Sequence, residues 1–320
     1  MALRPFALRG RHETSDRSPS RCGNGMRSPP AFLVEDHAFI CRRATRVNER
    51  PGLSMNEHLR KVVAHHDWSS ETYDSDYLEN FALYHKVTFD NMKRFKPKEK
   101  GSLILDAGGG TGIWSVELAR LGYRIVLTDI SEGMLKKARE KVKKLDLEDQ
   151  IEMLVSDILS MPELPDNHFG MVICEGDPLS YCGDHRRPTA ELVRVLEPGG
   201  RLIASVDGRS SALRWLGKSC DPEAMRRLLE TGDVVRPTKR KDFRYVIHTF
   251  TPEELRELFE SNGMSVERII GKLVIADKLE CIESDDPEIQ EWLLRQELRY
   301  NDDPVYLPCA GHLEIVGRKK

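Results

Sequence analysis

One stretch constrains the chain more than any other: Leu103-Ile104-Leu105-Asp106-Ala107-Gly108-Gly109-Gly110-Thr111-Gly112. An apolar run ends in an acid and breaks into glycines, and Ile113 to Leu121 then reads as a helix closed by Gly122. Strand, tight glycine turn and helix form the entry to a nucleotide-binding α/β sheet. The turn needs glycine because its backbone must visit positive φ and bring N–H groups close to a ligand. The positive end of the helix dipole lies at the same place. A dinucleotide fingerprint asks for a small residue three places after its second glycine; Ile113 holds that place, so the pattern is GxGxG and points away from dinucleotides.

Downstream, apolar runs repeat and end in acids. Arg124–Asp129 is a second strand, whose terminal acid is placed to accept hydrogen bonds from ribose hydroxyls. Ser131 caps a helix with Met134, Leu135, Ala138 and Val142 on its apolar side. Ile151–Asp157 is a third strand, followed by Ile158. Asp106, Asp129 and Asp157 thus meet at one rim, where they oppose a pyrophosphate and suit a ligand carrying positive charge. A fourth strand over Gly170–Cys174 leads to Glu175-Gly176-Asp177-Pro178-Leu179-Ser180-Tyr181. A helix around Ala190–Leu196, a stop at Pro198-Gly199-Gly200 and a fifth strand over Arg201–Val206 follow. The runs are nearly continuous, as for parallel strands buried on both faces.

The order of these motifs resembles the class I S-adenosylmethionine-dependent methyltransferases over roughly residues 70–270 and the final strand. The resemblance rests on Leu105–Gly112, Thr128-Asp129-Ile130-Ser131, Ser156-Asp157-Ile158, Phe169–Val172 and Leu196–Leu202. It implies a Rossmann-like α/β fold: a seven-stranded, mostly parallel sheet with helices on both faces and the last strand inserted antiparallel. It also implies S-adenosylmethionine as cofactor, with S-adenosylhomocysteine as product. Asp106, Ala107, Gly108, Gly110 and Gly112 would form the turn at its methionine part. Asp129, with Ile130 and Met134, would hold the ribose side; Asp157 and Ile158 the adenine; Glu175 would line the pocket after strand four.

The rest of the chain is organised around this sheet. Residues 1–54 are rich in Arg, Ser, Pro and Gly without apolar periodicity, which reads as disorder or as a non-native extension ahead of Met55. A transit peptide is opposed by Glu13, Asp16, Glu35, Asp36 and Glu49. Residues 55–320 form the catalytic domain. Within it, 55–98 is a helical cap in which Leu78, Phe81, Tyr84 and Phe95 recur, and Tyr73, Tyr77 or Tyr84 could carry a hydroxyl to the cofactor. Insertions at 208–248 and 272–308 follow strands five and six; the first leaves the ligand rim and is the expected substrate cover. Its Lys239-Arg240-Lys241 triplet reads as a solvated loop, and Phe243–His248 as strand-like. Thr251-Pro252-Glu253-Glu254 is a capping box, strand six runs about Ser265–Ile270, and His312–Gly317 is the last strand.

A net charge of −3 gives no global drive towards nucleic acid or membrane. Seven cysteines without a CxxC pair or zinc spacing fit free thiols in a cytoplasmic protein, and no metal is expected. Cys174, Cys182, Cys220 and Cys309 match no arsenic-binding triad and read as ordinary thiols. The second proline of an Asn/Asp-Pro-Pro-aromatic signature is missing at Asp177-Pro178-Leu179, which lowers a nucleic-acid base or glutamine as target. The expected activity is therefore methyl transfer to a small molecule, its nucleophile N, O, S or C. The alternatives are an RNA or protein methyltransferase, a nicotinamide oxidoreductase, an aminopropyl transferase and a non-catalytic binding module. Asp177, Tyr181 and His248, and after them His185, are the candidates for handling the acceptor's proton.

Overall fold

A computed structural model describes residues 55–320 apart from 218–220, 237, 239, 241–242 and 277–278. The expectations for residues 1–54, for Cys220 and for Lys239 and Lys241 of the basic triplet fall outside the described residues, as does the side chain of Leu78.

Nine strands are described: β1 Leu103–Ala107, β2 Arg124–Asp129, β3 Ile151–Val155, β4 Phe169–Cys174, β5 Leu196–Asp207, β6 Asp233–Val235, β7 Val246–His248, β8 Met264–Lys272 and β9 His312–Lys319. Seven form one sheet in the order β3-β2-β1-β4-β5-β9-β8. The β1–β2, β1–β4, β2–β3 and β4–β5 pairs are parallel, while β9 runs antiparallel to both β5 and β8. The inserted antiparallel strand expected from the resemblance is present. The chain order reverses beside β1, between β2 and β4, which is where an open α/β sheet opens a crevice at its carboxyl rim.

Successive side chains on a strand face opposite sides. Ile104, Ile125, Leu127, Met171, Ile173 and Ile203 share one core. It also holds side chains of three helices, α3 Ala82–Phe95, α4 Ile113–Arg120 and α5 Glu132–Lys144. The alternate residues Leu105, Val126, Val172 and Leu202 are equally buried, so both faces of the sheet are covered. The remaining helices are α1 Glu57–Ser69, α2 Tyr73–Asn80, α6 Pro178–Tyr181, α7 Arg186–Val195, α8 Arg209–Gly217, α9 Pro222–Thr231, α10 Pro252–Ser261 and α11 Pro287–Tyr300.

Local signals set most boundaries. Ser131 accepts a hydrogen bond from the Met134 amide and starts α5, and Thr251 and Glu254 form the complete capping box of α10. Several boundaries differ from the sequence reading. β3 ends at Val155, leaving Ser156 and Asp157 beyond the strand. β5 begins at Leu196 rather than after the glycine pair: Leu196 pairs with Phe169 and Arg201 with Met171, and the intervening Glu197–Gly200 stretch is absorbed as a register irregularity. In the first insertion only Val246–His248 is strand, because its partner is the three-residue β6, which carries too little alternation to be read.

Candidate functional site

The glycine turn is built by two constraints. Gly108 has φ 71°, and a Cβ there would lie 2.8 Å from Pro178 Cγ, so the turn and the segment after β4 face each other closely. Gly109 admits no side chain: its Cβ would meet Leu127 Cδ1 at 2.2 Å. The amides of Gly108 and Gly109 donate to the Thr128 carbonyl at 2.8 and 3.0 Å, which fixes the turn to β2.

Around this turn lies an open-mouthed cavity. Gly108, Gly110, Asp129, Ile130, Met134, Asp157, Ile158, Glu175 and Tyr73 all line it. Tyr77 and Tyr84 of the helical cap line it too. Asp106, Ala107 and Gly112 do not; they sit behind the wall. Asp106 is fully buried and its Oδ2 accepts from Ser115 Oγ at 2.6 Å. Burial and then the neighbouring Asp129 push its carboxyl up to about 7, against which Ser115 pulls down. Asp129 Oδ2 accepts from the Gly110 amide at 2.9 Å and Oδ1 from the Ser131 amide at 2.7 Å. Burial nevertheless raises Asp129 to about 6. Asp157 accepts from the Leu159 amide at 2.9 Å, and burial raises it as well.

The helical cap is tied to this site by polar bonds. Asp67 of α1 accepts from Ser131 Oγ at 2.5 Å and from the Gly133 amide at 3.0 Å. Asp74 of α2 accepts from Thr111 Oγ1 at 2.6 Å and pairs with Lys141 at 2.6 Å. The same cavity is lined by Leu59, Val62 and His66 of α1 and by Pro178, Tyr181 and Cys182. His66 is driven down to about 3 by burial, with His65 and Arg236 adding to it, so its imidazole is neutral near pH 7. Tyr181 accepts from Arg236 at 2.7 Å, and burial raises its phenol well above the usual range, so it keeps its proton.

Asp177 follows Gly176 at φ 68°, with its amide and that of Gly176 donating to Ser205 Oγ at 3.1 and 3.0 Å. Its carboxylate pairs with His312 Nδ1 at 2.8 Å. Asp177, Asp207 and His312 each offer one ligand-type atom within 4.8 Å of the others. β5 and β9 bring Asp207 and His312 into register. Burial opposes a charge on His312, but Asp177 and Asp207 outweigh it and raise its pKa; Arg236 lies 3.6 Å from Asp207. His312 and Arg236 thus lie against Asp177 and Asp207. His248 lies elsewhere, paired with Asp233 at 2.9 Å and stacked on His185, and neither histidine lines the cavity. Of the proton-handling candidates, Tyr181 lines the cavity, Asp177 lies between its lining residues Gly176 and Pro178, and His248 is apart.

The sequence reading missed the α1 residues Leu59, Val62 and His66, and Lys272, Asp207 and His312. Lys272 closes β8, fully buried, with Nζ 2.7 Å from Glu175 Oε2 and 2.5 Å from Glu314 Oε2. A lone Lys at the end of an apolar strand gives a signal only through register: His312 pairs with both Lys272 and Asp207.

The seven-stranded order and the acids at its rim are those of the class I S-adenosylmethionine-dependent methyltransferase fold. The methyltransferase-domain family matches residues 104–200. The demethylmenaquinone methyltransferase of Listeria welshimeri is 36% identical over 139 residues, covering 42% of this chain and 57% of the relative. The ubiquinone/menaquinone biosynthesis C-methyltransferase of Cronobacter sakazakii is 30% identical over 139 residues, 42% of this chain and 54% of the relative. The chain thus spans little more than half the length of these curated relatives. Among solved structures, an S-adenosylmethionine-dependent methyltransferase described as such from Listeria monocytogenes superposes with TM-score 0.54 at 15% identity, over 75% of this chain and 99% of that one. No helix among the described residues is long and apolar enough to cross a membrane.

Proposed function

We propose that the protein transfers the methyl group of S-adenosylmethionine by in-line displacement to a small, largely apolar acceptor. The observation that carries this reading is the continuity of one cavity. It is lined both by the glycine turn with Asp129 and Asp157 and by Leu59, Val62, His66 and Tyr181, and Val62 and Tyr181 pack with Tyr245 and Ile247 of the first insertion. When bound, the cofactor supplies a methyl already activated by a sulfonium, so the chain's work is placement. Holding two reactants in line can supply several kcal/mol of a barrier.

Asp129 keeps lone pairs for the ribose hydroxyls on oxygens already oriented by Gly110 and Ser131. Asp157 and Ile158 offer a polar edge and an apolar face to a base. At the acceptor end, protonated Tyr181 and neutral His66 are hydrogen-bonding groups without net charge, which favours an uncharged acceptor bearing a polar substituent on an apolar body. Asp177, between the lining residues Gly176 and Pro178 and held against His312, is our candidate to receive a proton if the nucleophile carries one. The quinone-directed names of the curated relatives support a ring-bearing acceptor and a carbon nucleophile.

Thermal shift tests the cofactor half of the reading: S-adenosylmethionine and S-adenosylhomocysteine should raise the melting temperature at micromolar concentration, and NAD should not. A larger shift with NAD defeats it. Formation of S-adenosylhomocysteine with phenolic and quinol acceptors, against amines as the contrasting set, tests the acceptor half.

A further inference from the structure

We infer that Lys272 is a positioning residue for the cofactor site: it holds one oxygen of Glu175 so that the other receives the α-ammonium of the cofactor's methionine part. This inference rests on the S-adenosylmethionine reading above and adds a subsite to it.

Glu175 follows β4, is 3% exposed and lines the cavity across from Gly108 and Gly110. Lys272 Nζ donates to its Oε2 at 2.7 Å. Its Oε1 is buried and has no hydrogen-bond partner among the described residues. Lys272 is held on two further sides: its ammonium lies 2.5 Å from Glu314 Oε2 and donates to Tyr84 Oη at 3.2 Å. Tyr84 adds its ring face, with Nζ 4.3 Å from the centroid. Glu314 is pinned from its other side by Asn91 Nδ2 at 2.5 Å.

The charges do not balance. Two buried carboxylates, Glu175 and Glu314, share one buried ammonium. The neighbouring Arg268 bonds Asn91 Oδ1 at 3.1 Å and not either carboxylate. A buried acid with an empty acceptor oxygen costs free energy unless something donates to it. Burial, and after it Glu314, raises the Glu175 carboxyl well above the usual range, which agrees with a site one cation short. The glycine turn opposite approaches Pro178 so closely that the methionine part of a ligand held there lies beside the segment that starts with Glu175. An ammonium group brings both the missing donor and the missing charge.

Isothermal titration with two ligands tests this. S-adenosylhomocysteine carries the ammonium; 5′-methylthioadenosine lacks it. The Glu175→Gln variant should bind S-adenosylhomocysteine at least about tenfold more weakly, since a charge-assisted hydrogen bond is replaced by a neutral one, and 5′-methylthioadenosine within about twofold of wild type. Lys272→Met combined with Glu314→Gln keeps the net charge of the cluster and should show the same ligand-selective loss, because Glu175 is then unanchored. Glu314→Gln alone leaves the Lys272–Glu175 bond and the empty Glu175 oxygen intact, and should still bind S-adenosylhomocysteine in preference to 5′-methylthioadenosine, by a margin smaller than wild type because one buried charge is gone. A merely structural role of Lys272 weakens both ligands alike and overturns the inference. So does wild-type affinity of Glu175→Gln for S-adenosylhomocysteine. If the wild-type protein binds neither ligand, the cofactor reading itself falls, and that outcome is distinct from the other two.

Discussion

The Gly110 amide donates to Asp129 Oδ2 at 2.9 Å, so the turn after β1 and the tip of β2 are joined through the acid that faces the cavity. One residue therefore both shapes the turn and offers lone pairs to a ligand. Asp129→Ala should lose both contributions. With up to two ribose hydrogen bonds to a carboxylate removed, S-adenosylhomocysteine affinity should fall about 30- to 1000-fold in calorimetry. Unchanged affinity would remove Asp129 from the cofactor site.

Gly109 tests the construction of the same turn without touching a ligand-facing group. A Cβ there meets Leu127 Cδ1 at 2.2 Å and Asp106 Cγ at 2.5 Å, both in the core. Gly109→Ala should destabilise the domain by about 1–3 kcal/mol or more in urea unfolding, as an overpacked core does. At Gly110, where the nearest atom to a Cβ is Met134 Sδ at 4.0 Å, alanine should cost only the φ 57° strain, about 1 kcal/mol.

Asp106, fully buried, and His66, half-buried at the cavity wall, give the unliganded protein opposite pH dependences. Asp106 titrates near 7 when folded against an ordinary 3.8, because burial disfavours its charge. Its contribution is complete below about pH 4 and is lost as pH rises through about 7. Asp106→Asn stays neutral, so its melting temperature relative to wild type should improve between pH 5 and pH 8. His66 is the reverse case, near 3 when folded against 6.5. Its contribution is present above pH 6.5 and is lost as pH falls towards 3. His66→Gln should therefore gain on wild type as pH drops from 7 to 4. Parallel melting curves for either variant and wild type would contradict the assigned burial.

These predictions fall on residues of unequal legibility. Asp129 was readable because an apolar run from Arg124 ends in it, and β2 ends there in the structure. Parallel strands buried on both faces leave such uninterrupted runs, and the acid at each end marks the rim. β6 was not readable, since three residues paired only with β7 carry no periodicity. The acceptor end was hidden for another reason. Leu59, Val62 and His66 sit on one helical face that sequence assigns to a cap, and the docking of Asp67 on Ser131 and Gly133, with His58 against the Tyr181 carbonyl, carries that face to the cavity. Lys272 and His312 lay at the boundary of an insertion and at the start of a strand, where nothing local distinguishes a buried charge from an exposed one. Their meeting with Glu175 and Asp177 follows from β9 entering between β5 and β8. The resemblance supplied that topology, but not the side chains it brings together.

Ser205 provides the last test, of how the wall after β4 is held. Its Oγ accepts from the amides of Gly176 and Asp177 at 3.0 and 3.1 Å, and Tyr84 Oη donates to it at 3.4 Å. Asp177 stands at φ 68°, a conformation in which a non-glycine residue needs support, and these two bonds supply it. Ser205 is fully buried, so water does not replace the hydroxyl in the variant. Ser205→Ala leaves two amides without an acceptor and should cost about 1–3 kcal/mol in urea unfolding. Because Glu175 and Pro178 flank the released segment, S-adenosylhomocysteine affinity should fall with it, by about three- to tenfold. Ser261→Ala is the comparison: its hydroxyl only donates to the Leu258 carbonyl at the end of α10, and its loss should cost no more than about 0.5 kcal/mol. Equal effects of the two serine substitutions on stability and on ligand affinity would show that Ser205 does not hold the wall.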